Sequence, residues 1–331
     1  MVVAETRTGF INPREPRCVR PGAVAEARRR RRSRSTTPRR SNDGHGPGRR
    51  NLWPIQGLGR SASPRGVARR SRTPGSTRHS LRLARLAAQP SAAAGIYEAG
   101  SGQTSLQPGP GGVWWVRGWG SARIAAGITD RRADLTALLA QLPPATRIVQ
   151  AEQVHGASIA VLHHAPPSAE MLAGCDALLT DVPGLALAIR TADCLPVCLA
   201  DPARGVVGIA HVGWRGLAAS LPGRLVAAVR HAYQSPPEAL QVVIGPGIRA
   251  CCYEVGPELL GPFGSFVRSR GTRRMCDLAG AAIEQLRHSG LRAERILDTQ
   301  QCTACEPDRW FSLRREGPET GRLMSFILLR R

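Results

Sequence analysis

Between residues 147 and 214 the chain carries six short segments rich in Val, Ile, Leu and Ala: RIVQAEQVHG (147–156), SIAVLHH (158–164), DALLTD (176–181), LALAIR (185–190), LPVCLAD (195–201) and GVVGIAHVGW (205–214). Turns such as DVPG and DPARG separate them, the signature of successive strands rather than of one helical period. So many strands in so little chain require a sheet-based core, which limits the fold more than any other feature.

Helices enter around this block. RADLTALLAQL (132–142) has apolar residues at helical spacing, Thr129 or Asp130 as candidate N-cap, and a Pro-Pro stop. In LAASLPGRLVAAVRHAY (217–233), Leu217, Leu221, Leu225, Ala228 and Val229 share one face, predicting a helix whose first half Pro222 disturbs. MCDLAGAAIEQLRHSG (275–290) predicts a helix capped by Gly290, whereas LQVVIGPGI (240–248), ERILD (294–298) and RLMSFILL (322–329) return to strand. Strands grouped first and helices inserted later predict an α+β sandwich with mixed sheets rather than a regular βαβ array.

Three polar side chains interrupt the apolar stretch TADCLPVCLADPARGVVGIAHVGWRGLAA (191–219): Asp193, Cys194 and His211. The DPARG turn folds its second strand back beside its first, bringing Asp193 and Cys194 near His211 at one end of the pair. QVHG adds His155 at another strand end. Two imidazoles and one thiolate form a zinc ligand set that keeps a fourth position open, and such a site acts as a Lewis acid or a source of hydroxide. The plainer alternative is a small buried thiol and two satisfied core histidines; spacing does not choose between them.

Other candidates surround this set. Asp193 reads as a general base, as a carboxylate orienting a histidine, or as a turn residue accepting backbone N–H bonds. Arg215, at a helix start, could clamp an anion together with free N–H groups, or make a surface ion pair. GPGIRACCYEVG (245–256) combines a Gly-rich backbone with Arg249, Cys251, Cys252, Tyr253 and Glu254; it is either a loop approaching a ligand or a turn leading into a helix. Cys302 and Cys305 form a CxxC with no second CxxC to complete a structural zinc site, a weak metal or redox signal. His163, His164, His231 and His288 have no partner pattern.

Charge divides the chain. Residues 1–110 hold 22 Arg against 5 acidic residues, while 111–331 hold 24 Arg against 19, so the basic excess belongs to the first third. That third is rich in Arg, Ser, Pro and Gly without sustained periodicity, and is expected to be disordered because it cannot bury enough apolar surface. Runs such as ARRRRRSRS (27–35) raise nucleic-acid binding. The absence of Lys and of interleaved aromatics favours instead coding bias, or a start placed too far upstream, with a later start expected near Val113. Residues 111–331 are expected to form the folded domain. No apolar run is long enough to span a bilayer and no apolar segment follows the Arg-rich start, so the expectation is a cytoplasmic protein with no membrane partner. Eight of the nine Cys lie in the folded part, expected as reduced thiols or metal ligands.

QVHG, GCDALLTD, TADCLPV, AHVGWRGLAAS, IGPGIRACCYEVG and WFSLRREGPETGR, in that order, resemble the YfiH family, also called the laccase-domain or multicopper polyphenol oxidase family and described as purine nucleoside phosphorylases. The resemblance covers residues 111–331. It implies a four-layer α/β/β/α sandwich with mixed sheets, related in fold to bacterial toxin deamidases. It also implies a zinc held by His155, Cys194 and His211, with Cu²⁺ as an alternative occupant. The implied activities are phosphorolysis of adenosine, inosine, guanosine and S-methyl-5'-thioadenosine, and deamination of adenosine. Purine nucleosides and phosphate are then the partners, on a monomer or homodimer. Phosphorolysis needs an anion site, for which Arg215, Arg249, Arg314 and Arg315 are candidates, and deamination needs a proton shuttle, for which Asp193 is the candidate; Asp193, Cys194 and Arg215 form the expected catalytic set.

Two features depart from the family pattern. GVWWVRGWGSARIAAGITDRR (112–132) is short and has no NLG, with Arg117 only a loose counterpart of the family's arginine, and Cys175 adds a thiol without an assigned role. Competing functions are a thiol hydrolase with Cys194 as nucleophile and His211 as base, a copper-dependent polyphenol oxidase, and a nucleic-acid-binding protein led by the Arg-rich arm. The oxidase is weakened by the absence of HxH pairs. The zinc nucleobase deaminases carry HxE and PCxxC, and neither occurs here.

Overall fold

In β9 (Leu185–Thr191) alternate side chains enter two different cores: Leu185, Leu187 and Ile189 face one, Ala186 and Ala188 the other. This period of two, with both faces apolar, is what a strand inside a layered sandwich requires. The structure, a computed structural model, describes residues 17–19, 104–133, 135–166 and 170–331.

One seven-stranded sheet runs in the order β2 (Ser105–Pro108), β3 (Val113–Arg117), β4 (Ile124–Thr129), β16 (Leu323–Leu329), β9, β5 (Arg147–Ala151) and β7 (Glu170–Leu172). The other runs β1 (Arg17–Val19), β6 (Ile159–Leu162), β8 (Ala177–Thr180), β11 (Val206–Val212), β10 (Leu195–Asp201), β12 (Gln241–Ile244) and β15 (Ile296–Asp298). Both are mixed: β5 pairs in parallel with β7 and β9, β6 with β8, and β12 with β15, while the remaining pairs are antiparallel.

The sheets pack face to face through Leu187, Ile189, Ile327, Cys198, Val207 and Ile209. Outside the first sheet lies α1 (Leu135–Gln141), whose Leu138 joins Trp115 and Phe326. Outside the second lie α2 (Trp214–Ala218), α3 (Leu221–Tyr233) and, after the short α4 (Leu260–Phe263), α5 (Leu278–His288); α2, α3 and α5 bury Leu217, Leu225, Val229 and Leu286 against Leu195, Val197 and Val212. The four layers are those expected. Cys175 is fully buried between the sheets, its thiol donating to the Leu172 carbonyl at 3.3 Å.

Local differences from the sequence reading have physical causes. The stretch 217–233 is two helices, because Ser220 adopts φ +60° and Pro222 starts the second. α1 begins at Leu135, since Thr129 ends β4 and the Asp130 carboxylate accepts the Arg132 N–H in a turn of its own. β13 (Val267–Arg270) and β14 (Arg273–Cys276) form a hairpin that polar composition concealed. Asp277 caps α5 by accepting the Gly280 N–H, and Gly290, at φ +97°, follows its end.

β2 lies before residue 110, its backbone pairing with β3 from Ser105 onward, and β1 pairs with β6. For residues 1–16 and 20–103 the expectation of disorder lies outside the described residues, as does the basic run at 27–35. Among the described residues no helix is long and apolar enough to cross a membrane.

Candidate metal centre

The DPARG turn forms as its residues dictate. Asp201 Oδ1 accepts the N–H groups of Ala203 and Arg204, Gly205 takes φ +64°, and β11 returns antiparallel to β10. The register sets Pro196 opposite His211 and Leu195 opposite Val212, so Cys194 lies just beyond the paired end beside Gly213. A Cβ on Gly213 would stand 3.0 Å from Cys194 Sγ and 3.4 Å from His155 Cδ2, a tight approach that would press on both side chains.

His155 arrives from the loop after β5. The ligand atoms of His155, Cys194 and His211 lie within 4.8 Å of one another, and the two imidazoles meet edge to face with centroids 4.8 Å apart. His211 is buried, Cys194 half-buried and His155 exposed, so the cluster is closed behind and open on the His155 side.

The sequence reading missed the residue that assembles this geometry. Asp176, fully buried just before β8, accepts from His211 Nδ1 at 2.9 Å on Oδ1. It also accepts the backbone N–H of His155 on Oδ1 at 2.9 Å and that of Gly156 on Oδ2 at 2.6 Å. One carboxylate therefore orients the deepest imidazole, leaving its Nε2 for a ligand, and holds the His155 loop with His155 at φ +60°. The only sequence signal was an acidic residue abutting an apolar strand.

Electrostatics agree with a ligand role. Burial alone would raise the Asp176 carboxyl, but the hydrogen bonds from His211 and Gly156 bring it below the ordinary carboxylate value. Burial would likewise raise the Cys194 thiol, yet hydrogen bonds and charge from His155 and His211 bring it down to about 6. Burial opposes ionisation of His211, and Asp176 and Cys194 overcome it, raising the imidazole to about 9. A low-lying thiolate beside two imidazoles is the donor chemistry zinc takes, and the residues present fit that ion.

The other expected site residues fall into two groups. Arg215 is exposed, with its guanidinium 4.4 Å above the Trp214 ring, and Arg314 stands over Tyr253 at 5.2 Å. Burial first, then the charges of Cys194 and Cys276, push the Tyr253 hydroxyl up to about 12, with Arg314 and Arg215 acting against them. Arg314 also donates to the Glu254 carbonyl at 2.8 Å, and Arg249 and Arg315 are engaged with protein groups throughout. Arg249 pairs with Asp298 at 2.8 Å and donates to the Gln301 and Gly245 carbonyls. Arg315 donates to the carbonyls of Thr303, Ala304 and Trp310.

Asp193 does not orient a histidine. At φ +87° and nine-tenths buried, it accepts from Thr303 Oγ1 at 2.6 Å on Oδ1 and from the Arg314 N–H at 2.7 Å on Oδ2. It ties the Cys194 strand end to the loop after β15 and to α6 (Leu313–Glu316).

Residues 124–330 match the family model described as multi-copper polyphenol oxidoreductase laccase. The chain is 36% identical over 199 residues to the purine nucleoside phosphorylase YlmD of Geobacillus stearothermophilus, covering 56% of this chain and 73% of that one. It is 31% identical over 198 residues to adenosine deaminase RL5 of an unknown prokaryotic organism, covering 54% and 74%. The crystal structure of the same Geobacillus YlmD superposes with a TM-score of 0.61 at 29% identity, covering 68% of this chain and 99% of that one. With the matched segment spanning most of both sheets and all three members of the His155, Cys194 and His211 cluster, the chain belongs to the multi-copper polyphenol oxidoreductase laccase family.

Proposed function

We propose that this protein is a zinc-dependent purine nucleoside phosphorylase acting on adenosine, inosine, guanosine and S-methyl-5'-thioadenosine, with adenosine deaminase activity at the same centre. The observation that carries this reading is the convergence of His155, Cys194 and His211 with one side exposed. The phosphorylase and deaminase names of its relatives support it. Zinc held by these residues supplies a Lewis acid, and Cu²⁺ is an alternative occupant because copper favours the same N and S donors.

The chain's own groups divide the remaining work. In phosphorolysis a phosphate oxygen bonds to the ribose anomeric carbon as its bond to the purine nitrogen breaks, and the purine leaves with a proton. Arg215 and Arg314 are the exposed guanidinium groups suited to the phosphate, since planar N–H forks match its oxygens. Tyr253 and Trp214 offer aromatic surface for the base. Asp176 holds His211 in one tautomer, and Asp193 acts as a positioning residue through Thr303 and Arg314.

The test is zinc content of the purified full-length chain together with hypoxanthine release from inosine and phosphate, beside His211→Ala. Zinc and hypoxanthine release are expected in the wild type, with hypoxanthine release and one equivalent of zinc lost in the variant. A second reading, a thiol hydrolase with Cys194 as nucleophile, rests on the depressed thiol beside His211. Zinc content unchanged by His211→Ala, without purine release, would favour it, since a metal-bound thiolate is not free to attack.

A further inference from the structure

The single CxxC of the sequence has partners that spacing did not disclose. The sulfur atoms of Cys251, Cys252, Cys302 and Cys305 all lie within 4.8 Å of one another, with Cys251 to Cys305 at 3.4 Å and Cys252 to Cys305 at 3.3 Å. Two loops from different parts of the chain, one after β12 and one after β15, supply two thiols each.

Backbone pairing fixes the loops against each other. Gly247 donates to the Gln301 carbonyl, and Thr303 donates back to the Gly247 carbonyl, a parallel bridge alongside Cys302. Cys252 and Tyr253 both donate to the Arg249 carbonyl, a tight turn that brings two adjacent cysteines to one side. The Cys302 carbonyl accepts from Glu306, curling the CxxC into a turn. Arg249 and Arg315 hold the Gln301, Thr303 and Ala304 carbonyls around the same turn and bring positive charge to it.

We propose that Cys251, Cys252, Cys302 and Cys305 bind one zinc ion as a structural tetrathiolate site, separate from the His155, Cys194 and His211 centre. A Zn–S bond of ~2.3 Å gives a tetrahedral edge of about 3.8 Å between sulfurs, which the cluster meets with small shifts. A disulfide would need the sulfurs at about 2.05 Å and would satisfy only two of the four. Binding releases the thiol protons to solvent and leaves no open position, so this ion has no substrate role. Its effect is to staple the Tyr253 loop to the loop that carries Thr303, the partner of Asp193. This inference stands independently of the activity at the other centre.

The experiment is zinc stoichiometry of the full-length chain purified under a non-chelating phosphine reductant, for the wild type, Cys194→Ala, Cys305→Ser and Cys194→Ala/Cys305→Ser. Cys194→Ala is expected to retain one equivalent, which the added Cys305→Ser removes. Because Cys305 is exposed, circular dichroism serves to check that its variant keeps the fold. A second measurement needs no variant: peptide-level alkylation should find Cys251 and Cys305 protected despite their exposure, and reactive after chelation. Zinc content unchanged by Cys305→Ser with both thiols freely alkylated would overturn the proposal. So would a disulfide among the four in the reduced preparation, or iron bound there in place of zinc.

Discussion

Asp176 Oδ1 stands 2.9 Å from His211 Nδ1 while the same carboxylate receives the N–H groups of His155 and Gly156, so one buried residue sets the positions of two of the three clustered donors. Replacing it by Asn keeps the volume but removes the charge and at least one acceptor. Asp176→Asn is expected to lower zinc affinity roughly 10–100-fold, the usual consequence of losing a partner behind a ligating histidine. Competition titration with a chromophoric chelator measures it. Unchanged affinity would remove Asp176 from the site.

The depressed Cys194 thiol has a definite pH signature. In zinc-free protein its thiolate persists down to about 6, so peptide-level alkylation of Cys194 should be half-maximal there and gain little between neutral pH and 9. The linkage has the same sign: stability from the thiolate is fully present above the unfolded value of 9.0 and is lost as pH falls through about 6. In His211→Ala the hydrogen bond and charge of one of the two stabilising imidazoles, the other being His155, are lost and the midpoint should move up. A wild-type midpoint near 9 would contradict the coupling.

Thr303→Val leaves Asp193 Oδ1 buried without its donor and should cost about 1–3 kcal/mol, the penalty of an unsatisfied buried group. Urea denaturation measures the loss. Since Asp193 is read as a positioning residue, the variant should lower kcat/KM without shifting the pH profile. A displaced acidic limb would instead assign Asp193 a proton-handling role.

Gly213→Ala places a methyl group 3.0 Å from Cys194 Sγ while Gly213 itself has an extended φ of −85°, so the substitution strains the site and not the backbone. Loss of one equivalent of zinc and of purine release is expected with circular dichroism unchanged. Full zinc occupancy in this variant would show that the three donors do not share one ion.

Much of this molecule was legible in its residues, for local reasons. Asp201 and Gly205 define the turn between β10 and β11, and alternation in LALAIR and LMSFILL sets two buried faces on each strand. Both depend on interactions within a few residues, and together they bring Cys194 and His211 to one strand end. Tertiary structure decided what depends on groups far apart in the chain. Asp176 becomes the anchor of His211 only because β8 pairs beside β11. Arg249 and Arg315 became loop clamps because carbonyls from distant segments surround them. Cys251 and Cys252 meet Cys302 and Cys305 because β12 and β15 lie parallel and adjacent, which sends the loops after them to the same end of the sheet. Spacing along a chain encodes turns and periods, whereas a coordination shell is a property of points in space that only the completed sheet brings together.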